Sequence, residues 1–438
     1  MNSYKFTLKQ YKAIAEANIE LNGITVMAGE NGAGKSTITR WLYCLVEGIA
    51  KYEWFVYKDL WHDIYSILQE YRMAFRDSRM MNDNNLNFAI SKWRTMARNI
   101  DCTTEEDVVL VVKEAKVIVE RVADYIQSNI QENGRINTRL SRAMVYLNID
   151  DAQTFDRDLF VSETNQKIDS MYEDYLNKII KRSKSALYDY IHRHYDQSLK
   201  TPTTIQLAED KVSVLEKDSF GHLLGLRRAI YIDTPMALCN EAMDNPLWDR
   251  LAELMQKQDN VMLPTPVRKM LMRIQHIIHG AVLVKEDDFD DGMHYVREDQ
   301  LDIPLMEAAT GIKSFAYIIR LLENGYLDRN TLLIIDEPEA HLHPQWIVEY
   351  ARILILLEKE LGVRILIASH NPDMISAVQS IGKKEGLENA ISFYQAQSSL
   401  EHPFEFKYKN LGMEITEIFK SFNIALSRIQ DYGATVDK

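Results

Sequence analysis

The sequence predicts an α/β domain interrupted by a large all-helical insertion. Three observations carry that prediction. Short apolar runs alternate with helix-period segments at both ends of the chain, a glycine-rich turn sits between one such run and a helix, and a glycine-poor tract of amphipathic helices lies between the two ends. At 438 residues the chain exceeds what one hydrophobic core usually supports, so a substantial second body is expected. An apolar share of 46% against 26% charged excludes disorder as the main state.

Taken in order, Tyr4–Leu8, Ala13–Leu21 and Ile24–Ala28 read as strands, and Ser36–Val46 as a helix. From Tyr52 to Leu199 the pattern is helical. Thr103 with Glu106 forms a capping-box start and Asn133-Gly134 a stop, although the VVLVV core between them is β-prone. Between Asn165 and Ser198, the residues Ile168, Tyr172, Tyr175, Ile179, Ala186 and Tyr190 recur at three- and four-residue steps, which predicts one helix with one buried stripe. Strands return at Thr203–Leu207, Val212–Leu215 and Ala229–Asp233, followed by helices near Leu247–Gln258 and Val267–Ile278 and a hairpin around Glu286–Asp291. The run EDDFDDG lacks the alternate carboxylates and terminal glutamate of a calcium loop, and reads as a solvated turn.

The last stretch alternates helix Ile312–Leu322, strand Leu332–Ile335, helix Gln345–Leu361, strand Arg364–Ala368, a short helix and strand Ala390–Tyr394, the pattern of a parallel sheet. A closing helix, Met413–Asp431, carries Ile415, Ile418, Phe419, Phe422, Leu426 and Ile429 as a stripe expected to dock on the body. The expected parts are therefore residues 1–50 and 201–438 for the α/β domain and 51–200 for the insertion.

A net charge of −13 does not advertise nucleic acid over the whole surface, though a local basic groove stays open. Lys178, Lys181, Arg182, Lys184, Arg193 and His194, with Tyr188 and Tyr190, could track phosphates; a solvated face carrying charges of both signs is the plainer reading. Cys44, Cys102 and Cys239 form neither a disulfide framework nor a zinc knuckle, which fits a reducing cytoplasm. Neither a leader nor a membrane span is expected from the apolar pattern.

Gly29-Glu30-Asn31-Gly32-Ala33-Gly34-Lys35-Ser36 fits G-x-x-x-x-G-K-[ST] between a strand and a helix. Its glycines let backbone N–H groups curl around phosphate oxygens, Lys35 reaches the β/γ phosphates, and Ser36 offers a hydroxyl to Mg²⁺. The nucleotide-binding set is Gly29, Asn31, Gly32, Ala33, Gly34, Lys35, Ser36 and Thr37. Thr331–Ile335 is an apolar run ending in Asp336 and Glu337. Asp336 is placed to hold magnesium with Ser36, and Glu337 to activate water. Leu366-Ile367-Ala368-Ser369-His370 is a third buried strand, ending in an imidazole where ligands bind in open α/β sheets, so His370 is assigned to the γ-phosphate.

Together GENGAGKST, IIDEPEAHLHP and IASHNPDMI resemble the ABC-type P-loop ATPases, more narrowly the RecF/SMC/OLD-like branch of the AAA family ATPases, over residues 4–48 and 203–394. The resemblance implies a P-loop NTPase fold of the ABC-head kind, a mixed sheet flanked by helices with a large all-α insertion, using ATP and Mg²⁺. It also implies a signature motif, for which Ala309-Thr310-Gly311-Ile312-Lys313-Ser314 is the candidate: Thr310 and Gly311 would face the γ-phosphate held by another subunit, the alternative being an ordinary helix cap with Thr310 as the capping residue. Ala340-His341-Leu342-His343 takes the D-loop position; His341 and His343 as metal ligands lack a completing set. No glutamine marks the Q-loop, and the Asp233-Thr234-Pro235 strand end is its positional candidate. Lys12 either matches a basic residue near the nucleotide or is an exposed lysine.

The implied function is a slow, partner-regulated ATPase that works as a nucleotide-gated homodimer through an ATP sandwich, with a higher oligomer and DNA left open as partners. A separate effector, in DNA repair or anti-phage defence, is the expected context. Two alternatives stand beside it: the ATPase subunit of a membrane transporter, and a self-contained OLD-like nuclease, for which about forty residues after the last predicted strand are too few.

Overall fold

The computed structural model describes residues 2–74, 85–100, 104–133, 155–234, 245–256, 258, 261–287, 290–399 and 401–420. The chain divides into two compact units, Met1–Ala50 together with Leu187–Lys438, and Lys51–Ala186.

The first unit is built on thirteen strands among the described residues: β1 Tyr4–Tyr11, β2 Ile14–Leu21, β3 Ile24–Ala28, β4 Thr204–Glu209, β5 Val212–Ser213, β6 Arg228–Ile232, β7 Gly280–Asp287, β8 Asp290–Arg297, β9 Asp302–Pro304, β10 Thr331–Asp336, β11 Arg364–Ser369, β12 Ile391–Ser398 and β13 Phe406–Gly412. Ten of them form one mixed sheet in the order β5-β4-β1-β2-β13-β12-β3-β11-β10-β6. Strands β12, β3, β11, β10 and β6 run parallel, whereas β5, β4, β1 and β2 form an antiparallel wing. Every residue of β3, β10 and β11 is buried, which is why these segments read as unbroken apolar runs. Helices Thr310–Glu323 and Pro344–Leu361 bury Phe315, Tyr317, Tyr350 and Leu354 in the same core.

Strand β13 was not anticipated from sequence. Of its seven residues only Tyr408 is buried, so no alternation marks it, and its place between β2 and β12 is a decision of the sheet as a whole. The acidic hairpin is formed by β7 and β8, which with β9 make a separate three-stranded sheet. At the C-terminal end residues 416–420 are helical; Ile418 is buried, and Ile415 and Phe419 pack against the core. Phe422, Leu426 and Ile429 lie outside the described residues.

The second unit holds helices Tyr52–Ala74, Asn85–Asn99, Glu105–Asn133 and Arg157–Lys181. The β-prone VVLVV segment is helical, with Val108, Val111 and Val112 buried at helix spacing, a case of packing overriding propensity. Thr104, not Thr103, stands just before that helix and donates its hydroxyl to Asp107; Thr103 and Gly134 lie outside the described residues.

The single helix expected over 165–198 is two. Arg182 adopts φ 40°, its N–H bonds Lys178 O, and the chain restarts as helix Lys184–His194. A stripe of three- and four-residue steps runs through such a break because both halves keep an apolar face. The basic residues proposed to track phosphates share no single free helix: the Arg182 guanidinium is buried 2.9 Å from Glu53, and Lys178 pairs with Asp174 at 2.6 Å. The unit boundary falls at Ala186 rather than at 200. Leu187 and Ile191 pack over Gly48, and Tyr195 meets Tyr43 edge to face, so this stretch belongs with the first unit.

Candidate functional site

The loop between β3 and helix Lys35–Ala50 needs backbone that side chains resist. Gly32 and Gly34 hold φ of 85° and 89°. A Cβ on Gly34 would meet Ile14 Cγ1 at 2.8 Å, and one on Gly29 would meet Ala396 Cβ at 2.8 Å, so β2 and β12 press the loop into shape from beneath. Tyr408 of β13 donates its hydroxyl to Ala33 O at 3.0 Å. Lys35 is 6% exposed and donates its ammonium to Gly29 O at 2.8 Å and Glu30 O at 3.0 Å. Burial pulls the Lys35 pKa below its usual value, opposed by the charges of Glu337, Asp336 and Glu339.

Parallel pairing of β10 with β11, and of β11 with β3, brings Asp336, Glu337, Ser369 and His370 to the carboxyl ends of the strands, where the loop begins. Asp336 Oδ2 accepts from Thr39 Oγ1 at 3.1 Å and from Tyr231 OH at 2.9 Å. Burial pushes its carboxyl pKa up, while the neighbouring Tyr231, Ser36 and Thr39 hydroxyls and the Arg40 charge work against the rise. Its other oxygen, Oδ1, is buried with no hydrogen-bond partner among the described residues. A buried carboxylate oxygen left in this condition, beside the Ser36 hydroxyl and the glycine loop, fits a hard cation on a nucleotide phosphate, which takes one or two protein oxygens and few more.

Glu337 sits at φ 49°, a left-handed conformation that costs a non-glycine residue energy and recurs at functional sites. The turn is enforced: Glu337 N donates to Ala368 O at 2.8 Å, and Ala340 N to Glu337 O at 2.8 Å. Its carboxylate is half exposed, 3.3 Å from His370 Nδ1. Glu339 is buried, and its Oε1 accepts from Ser369 Oγ at 2.8 Å and from His370 N at 3.2 Å.

Thr310 and Gly311 open helix Thr310–Glu323, but Ala309 is the capping residue and makes no side-chain cap, so the reading of Thr310 as an ordinary cap does not hold. Gly311 is buried, and a Cβ there would lie 2.9 Å from Trp346 Cε3. The described hydrogen bonds do not link Thr310 or Gly311 to the glycine loop of the same chain. His341 takes φ 64°, and His343 caps the following helix by accepting from Gln345 N at 3.4 Å. Among the described residues no group of three His, Cys, Asp or Glu side chains is placed to hold a metal. Asp233 accepts from Trp248 Nε1 at 2.9 and 3.1 Å, and Pro235 lies outside the described residues. Lys12 lies over the Tyr11 ring at 5.6 Å.

Sequence reasoning missed Thr39, Tyr231, Glu339 and Tyr408. Thr39 had a signal, standing one helical turn beyond Lys35, and Glu339 lay inside the DEPEA motif. Tyr231 and Tyr408 had none.

The strand order and this loop define a P-loop nucleotide-binding protein. Residues 1–375 match the AAA ATPase domain, and the chain belongs to that family. Over 44 residues it is 43% identical to the energy-coupling factor transporter ATP-binding protein EcfA2 of Clostridium perfringens, a match covering 10% of this chain and 15% of that relative's length. Among solved structures it is similar to the SMC head domain from Thermotoga maritima, at 9% identity and TM-score 0.37 over 94% of this chain and 99% of that one. It is also similar to the Pyrococcus furiosus Smc head domain bound to the C-terminal domain of ScpA, at 13% identity and TM-score 0.33 over 98% and 100%. Among the described residues no helix is long and apolar enough to cross a membrane.

Proposed function

We propose that the chain binds Mg-ATP at residues 29–37 and hydrolyses it to ADP and phosphate as a nucleotide-gated dimer. The observation that supports this most is the convergence of Lys35, Asp336, Glu337 and His370 at the carboxyl ends of the parallel strands, with Glu337 strained into place 3.3 Å from the imidazole. Lys35 and the loop N–H groups bind the β/γ phosphates. Ser36 and Asp336 hold the magnesium ion, which when bound neutralises charge on those phosphates. Glu337 orients water and takes its proton, and His370 fixes the Glu337 carboxylate while facing the γ-phosphate. Thr310 and Gly311 present a helix start to the nucleotide of a second copy, so that each copy completes the other's site.

The RecF/SMC/OLD-like motifs support a slow, partner-regulated switch in DNA repair or anti-phage defence with a separate effector in the cytoplasm. The short likeness to a transporter's ATP-binding protein supports a second reading, the motor of a membrane pump; co-isolation of a membrane-spanning partner would favour it. The test of the leading reading is Glu337→Gln. It is expected to keep Mg-ATP affinity, to lower turnover by about 10²–10⁴-fold, and to accumulate an ATP-dependent dimer in light scattering. Wild-type turnover by a monomeric variant would sink the reading.

A further inference from the structure

The second glutamate of the Glu337-Pro338-Glu339 turn has no part in the mechanism above, yet it is the more deeply buried of the two. Glu339 is 6% exposed, and its Oε1 receives two hydrogen bonds, both from the end of β11: Ser369 Oγ at 2.8 Å and the His370 backbone N–H at 3.2 Å. Ser369 is wholly buried and its hydroxyl also accepts from Asn371 N at 3.1 Å, while Asn371 Oδ1 caps helix Pro372–Glu385 through Asp373 N and Met374 N. A chain of bonds thus runs from the turn after β10 to the helix after β11, with His370 in its middle. His370 Nδ1 lies 3.8 Å from Glu339 Oε1 and 3.3 Å from Glu337 Oε1, so two carboxylates flank one ring nitrogen.

Burying a carboxylate is costly unless it is paired and hydrogen-bonded; Glu339 has donors on Oε1 alone, and its Oε2 is left buried without a partner among the described residues. We propose that Glu339 is a positioning residue for hydrolysis, clamping the Ser369–Asn371 turn so that the His370 ring meets Glu337. The inference rests on the proposed roles of Glu337 and His370. It assigns Glu339 no contact with nucleotide; the residue acts through His370.

Steady-state kinetics and Mg-ATP calorimetry on single and double variants test it. Glu339→Ala is expected to lower kcat by about ten- to a hundredfold with the Mg-ATP Kd within about threefold, since the clamp serves the reacting geometry and not ground-state binding. Glu339→Gln should recover most of that rate, because its amide oxygen accepts the same two bonds. In a His370→Ala background, Glu339→Ala should cost nothing further. Should Glu339→Ala fail to fold, Ser369→Ala breaks the clamp from the other side with a change of one oxygen, and is expected to slow kcat by about three- to tenfold, again without effect beside His370→Ala. Undiminished kcat in Glu339→Ala, or reductions that multiply with those of His370→Ala, overturns the inference. A His370→Ala variant with full kcat would instead overturn the underlying reading of the site.

Discussion

Thr39 Oγ1 donates to Asp336 Oδ2 at 3.1 Å, joining the first helix of the chain to a strand that begins almost three hundred residues later. The glycine loop and the acidic strand end are thereby parts of one object. Each half supplies what the other lacks, donors and a lysine on one side, carboxylates on the other.

Lys35→Ala removes the ammonium that closes the loop on Gly29 O and Glu30 O and the cation that would reach the phosphates. Mg-ATP affinity is expected to fall by at least about a hundredfold, the scale of deleting charge-assisted hydrogen bonds in a buried site. Calorimetry showing unchanged heat and affinity would remove the basis of the assignment.

Tyr231→Phe deletes one of the two donors to Asp336 Oδ2 and leaves a buried carboxylate less well held. Stability should drop by about 1–3 kcal/mol in urea unfolding, and saturating Mg-ATP should restore part of it. Equal denaturation midpoints for the variant and the parent would show that the bond contributes nothing.

Gly311→Ala places a methyl against the Trp346 ring, where the nearest ring atom would be 2.9 Å away, and against Leu342. The ring meets Phe315 edge to face, a contact it would give up in moving aside. Overpacking is expected to cost about 1–3 kcal/mol before any helix-propensity gain, read as a lower melting temperature without nucleotide. An unchanged or higher melting temperature would show that the Trp346 ring yields to the methyl without cost.

Glu209 ties the N-terminal wing together. Its carboxylate accepts from Tyr4 OH, Asn2 Nδ2 and Gly225 N on one oxygen and Leu224 N on the other, each at 2.7 Å. Burial alone would raise its pKa, but these bonds outweigh it and hold the carboxyl below the ordinary value. A depressed folded-state pKa gives stability that is present above the unfolded pKa of 4.5 and disappears as pH falls through the folded value. Glu209→Gln should therefore be less stable than the parent by about 2 kcal/mol at neutral pH, with the gap closing in acid below pH ~4.5. A gap independent of pH would point to altered shape and not to the missing charge.

The sequence alone determined the glycine loop between a strand and a helix, the strand that runs into Asp336 and Glu337, the strand that runs into Ser369 and His370, and the alternation that makes a layered α/β sheet. These are local patterns, because a phosphate loop needs glycines at fixed spacing and a strand buried on both faces needs an unbroken apolar run. Only the tertiary structure decided that β13 enters between β2 and β12, that the helix over 165–198 breaks at Arg182, and that Thr39, Tyr231, Glu339 and Tyr408 converge on the loop and its carboxylates. Their partners lie far away in the chain, and no local period can encode which buried donor meets which buried acceptor.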